Sequence, residues 1–245
     1  MSSQDYKRWV NWDRYPSLWC GGCGIGIMVK YLAQALEELG YSKDEVVIVS
    51  GIGCTGRVAG YFHTDSVHGL HGRAVPLAEG IKRGNKKLKV IVVSGDGDLL
   101  GIGGNHLLHS MRRDVDISVI CYNNEIYGMT GGQMSPTTPL ERFTVTSPFG
   151  CDYNPVNAHK IVSSNNHYFF GRSSVWHVDH LKKVIKESLE WEGFSFVEVI
   201  GHCITNNGLR IGYKDAYEMM MTIKKMFSVK EKIESEVDLG VDSKS

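Results

Sequence analysis

The sequence predicts an α/β fold in which a doubly wound, mostly parallel sheet carries helices on both faces. Short runs that are apolar throughout alternate with stretches of helical periodicity, which is the pattern of a parallel sheet covered on both sides. The chain has 245 residues, of which 42% are hydrophobic and 22% charged, so one hydrophobic core is sufficient. We therefore expect a single domain over residues 1–230 and a polar C-terminal tail over residues 231–245.

Each element is predicted from its periodicity and from the residue at which the pattern stops. Apolar residues on one face predict a helix from Ile25 to Leu39 that ends at Gly40. The other predicted helices cover residues 72–83, 101–113, 179–190 and 213–225, and the predicted strands cover 46–50, 89–94, 117–122 and 194–200. Residues 130–175 hold four of the six prolines, so we predict long ordered loops with little regular structure there. The last fifteen residues are polar and are expected to fray or to depend on a partner for order.

Composition excludes several classes of function. Lys and Arg total 27, as do Asp and Glu, so the net charge is zero and gives no support for binding to nucleic acid or anionic lipid. The sequence has no run of about 18 apolar residues that would predict a membrane helix. The first residues lack the apolar stretch of a secretory signal, so we expect a cytoplasmic protein.

Two short polar segments follow neighbouring predicted strands. SGDGD at 94–98 ends one strand, and Asn-Asn at 123–124 ends the next. Ligands of an open parallel sheet bind at the carboxyl ends of its strands, and the helix predicted from residue 101 would point its N-terminal amides there. The glycines allow a phosphate to approach the backbone, while Asp96 and Asn124 offer the oxygen ligands that Mg²⁺ prefers. Together the segments predict a cation that bridges to a diphosphate, whereas either segment alone would indicate only a turn.

Four of the six cysteines lie in loops or at strand ends, where they can converge. Cys20 and Cys23 form a C-x-x-C ahead of the first helix, and Cys54 and Cys203 each follow a strand. Four thiolates suit a [4Fe–4S] cluster or a zinc ion, and the residues alone also allow buried cysteines without a function. Cys121 lies within an apolar strand and is interpreted as a core residue.

The order GDG, spacer, NN resembles the motif of thiamine diphosphate enzymes. The wider sequence resembles the β subunit of the 2-oxoacid:ferredoxin oxidoreductases over most of the chain through Cys203. The likeness is carried by WCGGCG (19–24), GIGCTGR (51–57), HGLHGRA (68–74), GDGDLLGIGGNHLLHSMRR (95–113) and NNEIYGMTGGQMSPTTP (123–139). It implies the diphosphate-binding thiamine fold, with loop insertions that hold a cluster.

The resemblance implies three cofactors, namely thiamine diphosphate, Mg²⁺ and a [4Fe–4S] cluster. The residues that it assigns to cofactor binding are Gly53, Gly95, Asp96, Gly97, Asp98, Asn124 and Ile126. Of these, Asp96, Asn124 and the carbonyl of Ile126 would hold Mg²⁺. The cluster would be held by Cys20, Cys23, Cys54 and Cys203. The context of Cys203 is GHC, which departs from the Cys-Pro that is usual in the family and makes this ligand the least secure.

The resemblance also places the HGLHGRA segment and the loop 127–139 at the thiamine and substrate pocket. The pocket candidates are His71, Arg57, Arg73, Thr130 and Gln133. An arginine is able to bind a carboxylate through two hydrogen bonds, although pairing with a local acid explains the two arginines equally well. No catalytic residue is assigned, because the family's base glutamate comes from the partner chain.

The implied enzyme is a 2-oxoacid:ferredoxin oxidoreductase that is active only when this chain joins an α subunit carrying the pyrimidine-binding domain. The implied reaction is the coenzyme A-dependent oxidative decarboxylation of a 2-oxoacid, with electrons passed through the cluster to ferredoxin. GIGCTGR, GIGGNH and MSPTTP look most like the 2-oxoglutarate members. The alternatives are a branched-chain 2-oxoacid or pyruvate member and a non-redox thiamine enzyme subunit with structural zinc. A scaffold or electron-transfer subunit without thiamine is a further alternative, against which the intact Asp96 and Asn124 argue.

Overall fold

Eight strands form one sheet in the computed structural model, which describes residues Asp5–Ser245. They are β1 (Val46–Ser50), β2 (Asp65–His68), β3 (Lys89–Gly95), β4 (Ser118–Asn123), β7 (Tyr168–Ser174), β8 (Ser195–Ile200), β9 (Ser228–Val229) and β10 (Asp238–Lys244), while β5 (Ile126–Tyr127) and β6 (Gln133–Met134) form a separate hairpin. The order across the sheet is β2-β1-β3-β4-β8-β7-β10-β9. All neighbours are parallel except β10, which runs antiparallel to β7. The predicted mostly parallel sheet is confirmed.

Helices cover both faces of this sheet, as predicted. Helices α1 (Ile25–Glu38) and α5 (Val178–Glu190) pack on one face. On the other face lie α2 (Ala74–Gly84), α3 (Gly104–Arg112) and α4 (Ala158–Val162), and α6 (Ala216–Met226) adds Ile223 to the first core. Within Asp5–Ser245, no helix has the length and apolar character needed to cross a membrane.

The central strands bury both of their faces. On β3, Ile91 and Val93 join the core beneath α1 and α5, while Val90 and Val92 join the opposite core, and all four are fully buried. Branched side chains favour the extended backbone, and a strand covered on both sides needs them on both faces. Each such side chain stabilises the fold by about 1.5–3 kcal/mol.

The sheet order also fixes where a ligand would bind. After β1 the chain moves outward to β2, and after β3 it moves the other way to β4. The loops that leave β1 and β3 therefore diverge and leave a crevice at the carboxyl edge of the sheet, which is the usual ligand position in doubly wound folds. The loop after β4 closes one side of this crevice.

Two local predictions were wrong. The helix predicted from residue 101 begins earlier, because a π-helical turn over Gly97–Ile102 starts directly after Asp96 and a non-helical ψ of −107° at Gly101 separates it from α3. The predicted loops of residues 130–175 contain β7 and α4. Strand β7 reads YFFGRSS, and only its first half is apolar, but Arg172 and both serines are buried with partners of their own.

The expectation of a frayed C-terminal tail was also wrong for Asp238–Lys244, which form β10 inside the sheet. Leu239 of this strand is fully buried. Asp242 accepts a hydrogen bond from the Tyr168 hydroxyl at 2.9 Å, and its Oδ2 lies 2.6 Å from Nε2 of His159. The polar side chains of β10 are therefore held by specific partners. The strand lacks the alternation of apolar and polar residues from which it could have been predicted.

Candidate active site

A cleft opens at the crevice between β1 and β3. Its walls come from the segments that follow β1, β3 and β4, and from one side chain of the segment before α2. The lining residues are Ile52–Thr55, His71, Gly95–Asp98, Asn124 and Ile126–Thr130. All seven residues that the sequence assigns to cofactor binding are among them.

Three oxygen ligands are able to converge at the floor of this cleft. One terminal atom of the Asn124 amide lies 2.9 Å from the carbonyl oxygen of Ile126 and 3.2 Å from Oδ1 of Asp96. As a nitrogen, this atom would donate to both oxygens. As an oxygen, it completes a triangle of three oxygens. Octahedral Mg²⁺ holds its ligands at about 2.0–2.1 Å, which puts adjacent ligands about 2.9 Å apart. The donor set and its spacing therefore fit Mg²⁺.

Asp96 is buried without a positively charged partner among the described residues. The residue is 2% exposed, and burial raises the pKa of its carboxyl group, an effect that the hydroxyl groups of Ser135 and Thr137 partly offset. No Lys, Arg or His of Asp5–Ser245 forms an ion pair with Asp96. A buried carboxylate without a counter-charge is costly, so a cation bound at Oδ1 would remove that cost.

Asp98 lines the same cleft but has a different task. Its Oδ1 accepts backbone N–H groups of Gly72 at 2.8 Å and Ile52 at 3.1 Å, and its Oδ2 accepts the Ser94 hydroxyl at 2.9 Å. Nδ1 of His71 lies 2.5 Å from Oδ1. Asp98 therefore ties the loops after β1 and before α2 to the turn after β3, and holds the walls of the cleft together.

Close packing at Gly97 shapes the other wall. The Tyr127 hydroxyl donates to the Gly97 carbonyl at 2.9 Å, and a methyl group on Gly97 would lie 2.2 Å from Cε1 of the Tyr127 ring. Only glycine permits this contact. The turn that carries Asp96 and the hairpin that carries Ile126 are thereby held in fixed register.

Four thiols meet beside this cleft. Burial raises the pKa of Cys23 to about 12, with further increases from the nearby Cys203, Cys54 and Cys20 thiols. Burial likewise raises the pKa values of Cys54 and Cys203, and neighbouring thiols of the same group add to both. Within Asp5–Ser245, no three His, Cys, Asp or Glu side chains are close enough to bind one metal ion. The thiols thus form a common basin with wider spacing than a single ion requires.

Two hydrogen bonds join the three loops of this basin. Nε1 of Trp19 donates to the carbonyl of Cys54 at 2.9 Å, and Nε2 of His202 lies 2.7 Å from the carbonyl of Gly22. Because a carbonyl oxygen only accepts, Nε2 carries the proton in this contact. His202 is 2% exposed, and burial lowers its pKa.

The basin and the cleft share a wall. Cys54 lines the cleft itself. On the other side, a methyl group on Gly128 would lie 3.1 Å from Sγ of Cys203 and 3.9 Å from Nδ2 of Asn124. The carbonyl of Gly128 accepts the side chain of Asn206 at 2.8 Å. The thiols therefore lie on the same edge of the sheet as Asp96, one residue away from the cleft.

Comparison with known proteins identifies the family. A family model for thiamine pyrophosphate enzymes, C-terminal TPP binding domain, matches residues 51–199. The 2-oxoglutarate synthase subunit KorB of Methanothermobacter thermautotrophicus is 42% identical over 219 residues, which cover 89% of this chain and 77% of that protein. The 2-oxoacid:ferredoxin oxidoreductase subunit beta of a Sulfolobus species is 38% identical over 237 residues, covering 91% of this chain and 77% of the relative. The chain belongs to the 2-oxoacid:ferredoxin oxidoreductase β-subunit family.

A solved structure of this oxidoreductase class shares the fold. It is the 2-oxoglutarate:ferredoxin oxidoreductase from Magnetococcus marinus with 2-oxoglutarate, coenzyme A and succinyl-CoA bound. The TM-score is 0.87 at 26% identity, and the match covers 100% of this chain and 86% of that one. The family and the fold expected from the sequence are confirmed.

Not every predicted pocket residue of this β-subunit chain reaches the cleft. His71 and Thr130 line it, but Arg57, Arg73 and Gln133 do not. Arg57 and Arg73 are exposed, and Arg73 contacts the carbonyls of Gly72 and Ile102. Gln133 turns back on the loop, where its Nε2 donates to the Thr130 carbonyl at 2.8 Å.

The sequence did not single out three other residues of the site. Thr55 lines the cleft, Thr137 contacts Asp96, and His202 joins two loops of the β-subunit family's cysteine segments. Thr137 and Thr138 stand between two prolines in the MSPTTP segment of the family resemblance. This position was the only sequence indication that the two threonines have specific hydrogen-bond partners. His202 could have been found from its position next to Cys203.

Proposed function

We propose that this chain binds thiamine diphosphate in the cleft through Mg²⁺ and holds a [4Fe–4S] cluster in the adjoining basin. Asp96, Asn124 and the carbonyl of Ile126 would be the protein ligands of Mg²⁺. Cys20, Cys23, Cys54 and Cys203 would be those of the cluster. The observation that carries the proposal is the single residue, Gly128, between a cysteine thiol and a convergent set of oxygens.

The reaction follows from the chemistry of these groups. When bound, thiamine diphosphate supplies the carbanion chemistry that releases carbon dioxide from a 2-oxoacid, and an iron–sulfur cluster accepts the electrons one at a time. The chain's own residues would fix the diphosphate position through Asp96, Asn124 and the Ile126 carbonyl, and keep the thiols beside it. We propose that the enzyme is a coenzyme A-dependent 2-oxoglutarate:ferredoxin oxidoreductase, as the names of KorB and of the Magnetococcus marinus structure support.

The relatives favour a cluster over zinc. The Sulfolobus relative is named as a ferredoxin oxidoreductase subunit, and zinc has no redox chemistry, whereas a [4Fe–4S] cluster carries single electrons. A zinc ion needs all four sulfurs about 2.3 Å from one point, while a cluster binds each thiolate through a separate iron atom. Within Asp5–Ser245, no three of the thiols are close enough for one ion.

A partner is part of the proposal. The naming of the relatives as β subunits implies an α subunit, and we propose that it supplies the pyrimidine-binding domain and the base glutamate. We infer that the complex acts in the cytoplasm with ferredoxin as the electron acceptor. Arg57 and Arg73 remain candidates for a substrate carboxylate only if the partner brings the substrate to the surface on which they lie.

The test uses the αβ complex purified without oxygen. We expect about four iron and four sulfide ions per chain and the electron-spin resonance signal of a reduced [4Fe–4S] cluster after addition of 2-oxoglutarate and coenzyme A. If pyruvate or a branched-chain 2-oxoacid reduces the cluster and 2-oxoglutarate does not, the substrate assignment changes to that 2-oxoacid. A colourless complex that contains zinc would contradict the redox proposal.

Cysteine variants of the complex test the ligand set, above all Cys203. Replacing Cys203 with alanine should remove most of the iron, because the cluster then lacks one thiolate. The control is Cys151→Ala, since Cys151 is a buried free cysteine that lies against Met134 and the carbonyl of Tyr153. Equal iron content in both variants would remove Cys203 from the ligand set.

A further inference from the structure

The second oxygen of the Asp96 carboxyl has a partner outside the cleft. Oγ1 of Thr137 lies 2.7 Å from Oδ2 of Asp96, whereas the convergent oxygens meet at Oδ1. Thr137 is 5% exposed and does not line the cleft. One carboxylate oxygen is thus held by a hydroxyl group, and the other is left to face the candidate cation.

The same hydroxyl group begins a buried chain of contacts. It lies 2.8 Å from Oδ1 of Asn123, whose Nδ2 donates to Oε1 of Glu198 at 2.8 Å. Nε of Arg172 donates to Oε2 of Glu198 at 2.6 Å. All of these residues are at most 6% exposed. The chain therefore links Asp96 to a buried ion pair between β7 and β8.

A buried ion pair is weak evidence for stability, because the cost of removing two charges from water offsets their attraction. A positional role explains this pair better. It fixes the Asn123 amide, whose Oδ1 also accepts the backbone N–H of Glu125 at 3.1 Å. The Thr137 hydroxyl has one proton for two acceptors, Oδ2 of Asp96 at 2.7 Å and Oδ1 of Asn123 at 2.8 Å, so it bonds to one of them at a time. Because Oδ1 of Asn123 also has the Glu125 N–H as a donor, it does not depend on that proton, whereas Oδ2 of Asp96 does.

We infer that Thr137 is a positioning residue that orients Asp96 for the metal, with Asn123 and the Arg172–Glu198 pair behind it. This inference rests on the proposed Mg²⁺ site. A carboxylate is free to rotate about its last side-chain bond, and a hydrogen bond to the non-ligating oxygen removes that freedom. Outer partners of metal ligands typically change metal affinity about 10–100-fold when they are removed.

The neighbouring threonine supplies a matched control. Thr138 is 1% exposed and belongs to the same turn. Its hydroxyl donates to the carbonyl of Glu125 at 2.7 Å and does not contact Asp96. Valine at either position has nearly the shape of threonine without the hydroxyl group. Both valine variants therefore lose a buried hydrogen bond, but only the one at Thr137 loses the contact with Asp96.

The experiment measures Mn²⁺ binding to the αβ complex by electron-spin resonance titration in the presence of thiamine diphosphate. The complex is first depleted of divalent cations with a chelator. We expect Thr137→Val to weaken Mn²⁺ binding about tenfold or more. Thr137→Ser restores the hydroxyl and should bind Mn²⁺ like the wild type, and so should Thr138→Val. Thermal unfolding of each variant separates affinity from general destabilisation.

The outcomes distinguish the inference from the proposal beneath it. Wild-type affinity in Thr137→Val, or an equal loss in Thr138→Val, would overturn the role of Thr137 while leaving the Mg²⁺ site in place. If the wild-type complex binds no Mn²⁺ with thiamine diphosphate, the proposed site itself fails. Should Thr137→Val not assemble, the comparison of Thr137→Ala with Thr137→Ser measures the same hydroxyl group.

Discussion

Individual residues of this site work through backbone geometry as much as through side-chain chemistry. Glu125 lies between Asn124 and Ile126 and adopts a left-handed φ of +60°. For a residue other than glycine, that conformation costs about 1–2 kcal/mol. Glu125 separates Asn124 from Ile126, whose carbonyl oxygen lies 2.9 Å from a terminal atom of the Asn124 amide. A strained backbone residue thus stands between two of the proposed Mg²⁺ ligands.

Gly97 gives a prediction at this scale. Gly97→Ala would push against the Tyr127 ring and break its hydrogen bond to the Gly97 carbonyl, because the added methyl carbon falls 2.2 Å from a ring atom. We expect weaker binding of thiamine diphosphate to the complex, measured by calorimetry. The control is Gly104→Ala, where a methyl group meets nothing within 4 Å and α3 begins. Equal affinities in the two variants would contradict the packing role of Gly97.

Among the elements, those with apolar periodicity could be predicted from the sequence, and those that depend on distant polar partners could not. The apolar run VVIVS predicts β1, and the one-sided apolar periodicity of residues 25–38 predicts α1. In β7 and β10, by contrast, Arg172 and Asp242 are placed by partners 26 and 74 or more residues away. Pairing at that separation has no local signature. The same reason explains why Asp96 was found from a motif and Thr137 was not.

Strand β10 gives a prediction that the sequence alone would not suggest. Leu239→Ala removes a fully buried side chain from this strand and should lower the free energy of unfolding by about 2–5 kcal/mol. Val237→Ala, just before the strand, changes a side chain that is 42% exposed and should cost much less. Thermal or denaturant unfolding of the complex measures both. Similar values for the two variants would mean that β10 contributes little to the sheet.

The contact between α2 and the end of α3 predicts a dependence on pH. Arg113 donates to both carboxylate oxygens of Glu79, and this hydrogen bonding, with help from Arg83, holds the pKa of Glu79 below its usual value. A lowered acid pKa means that the stabilisation is fully present above the pKa of the unfolded chain, about 4.3, and is lost as the pH falls through the folded-state pKa. Glu79→Gln should therefore be less stable than the wild type at pH 7.

That difference should shrink as the pH falls below 4, where the wild-type carboxyl group also becomes protonated. Melting temperatures of the two proteins across this pH range test the prediction. The control is Glu192→Gln, because Glu192 is exposed and forms no ion pair among Asp5–Ser245. A constant difference between Glu79→Gln and wild type at all pH values would mean that the loss is one of packing.

The described part of the molecule, Asp5–Ser245, combines the proposed diphosphate site with a surface suited to a partner. Large apolar side chains of the segment 143–153 are well exposed, with Phe149 at 97%, Tyr153 at 66% and Phe143 at 58%. The backbone N–H of Val145 in this segment donates to the Gly132 carbonyl at 2.9 Å, which connects it to the loop over the cleft. Exposed apolar patches of this kind mark surfaces that other proteins cover.

We therefore predict that the isolated chain does not catalyse the oxidative decarboxylation of 2-oxoglutarate. With 2-oxoglutarate, coenzyme A and a viologen dye it should show no dye reduction, and addition of the α subunit should restore the reaction. The physical reason is that no glutamate of Asp5–Ser245 lines the cleft, so the proposed enzyme takes its base and its pyrimidine-binding domain from the α subunit. Dye reduction by the chain alone would mean that this chain itself binds the pyrimidine half of thiamine and supplies the base.

The position of Gly128 between the cleft and the cysteine basin limits how the two proposed sites are able to be exchanged between proteins. The proposed cluster ligand Cys203 and the proposed Mg²⁺ ligand Asn124 lie on opposite sides of one glycine, so the two proposed sites share the same few residues. Because of this shared contact, neither proposed site is able to be transferred alone to another protein. A graft of the cysteine loops onto another thiamine protein would carry the thiols without the loop residues that they pack against. A transfer that keeps both proposed sites would have to include the loop around Gly128 together with the cysteine segments.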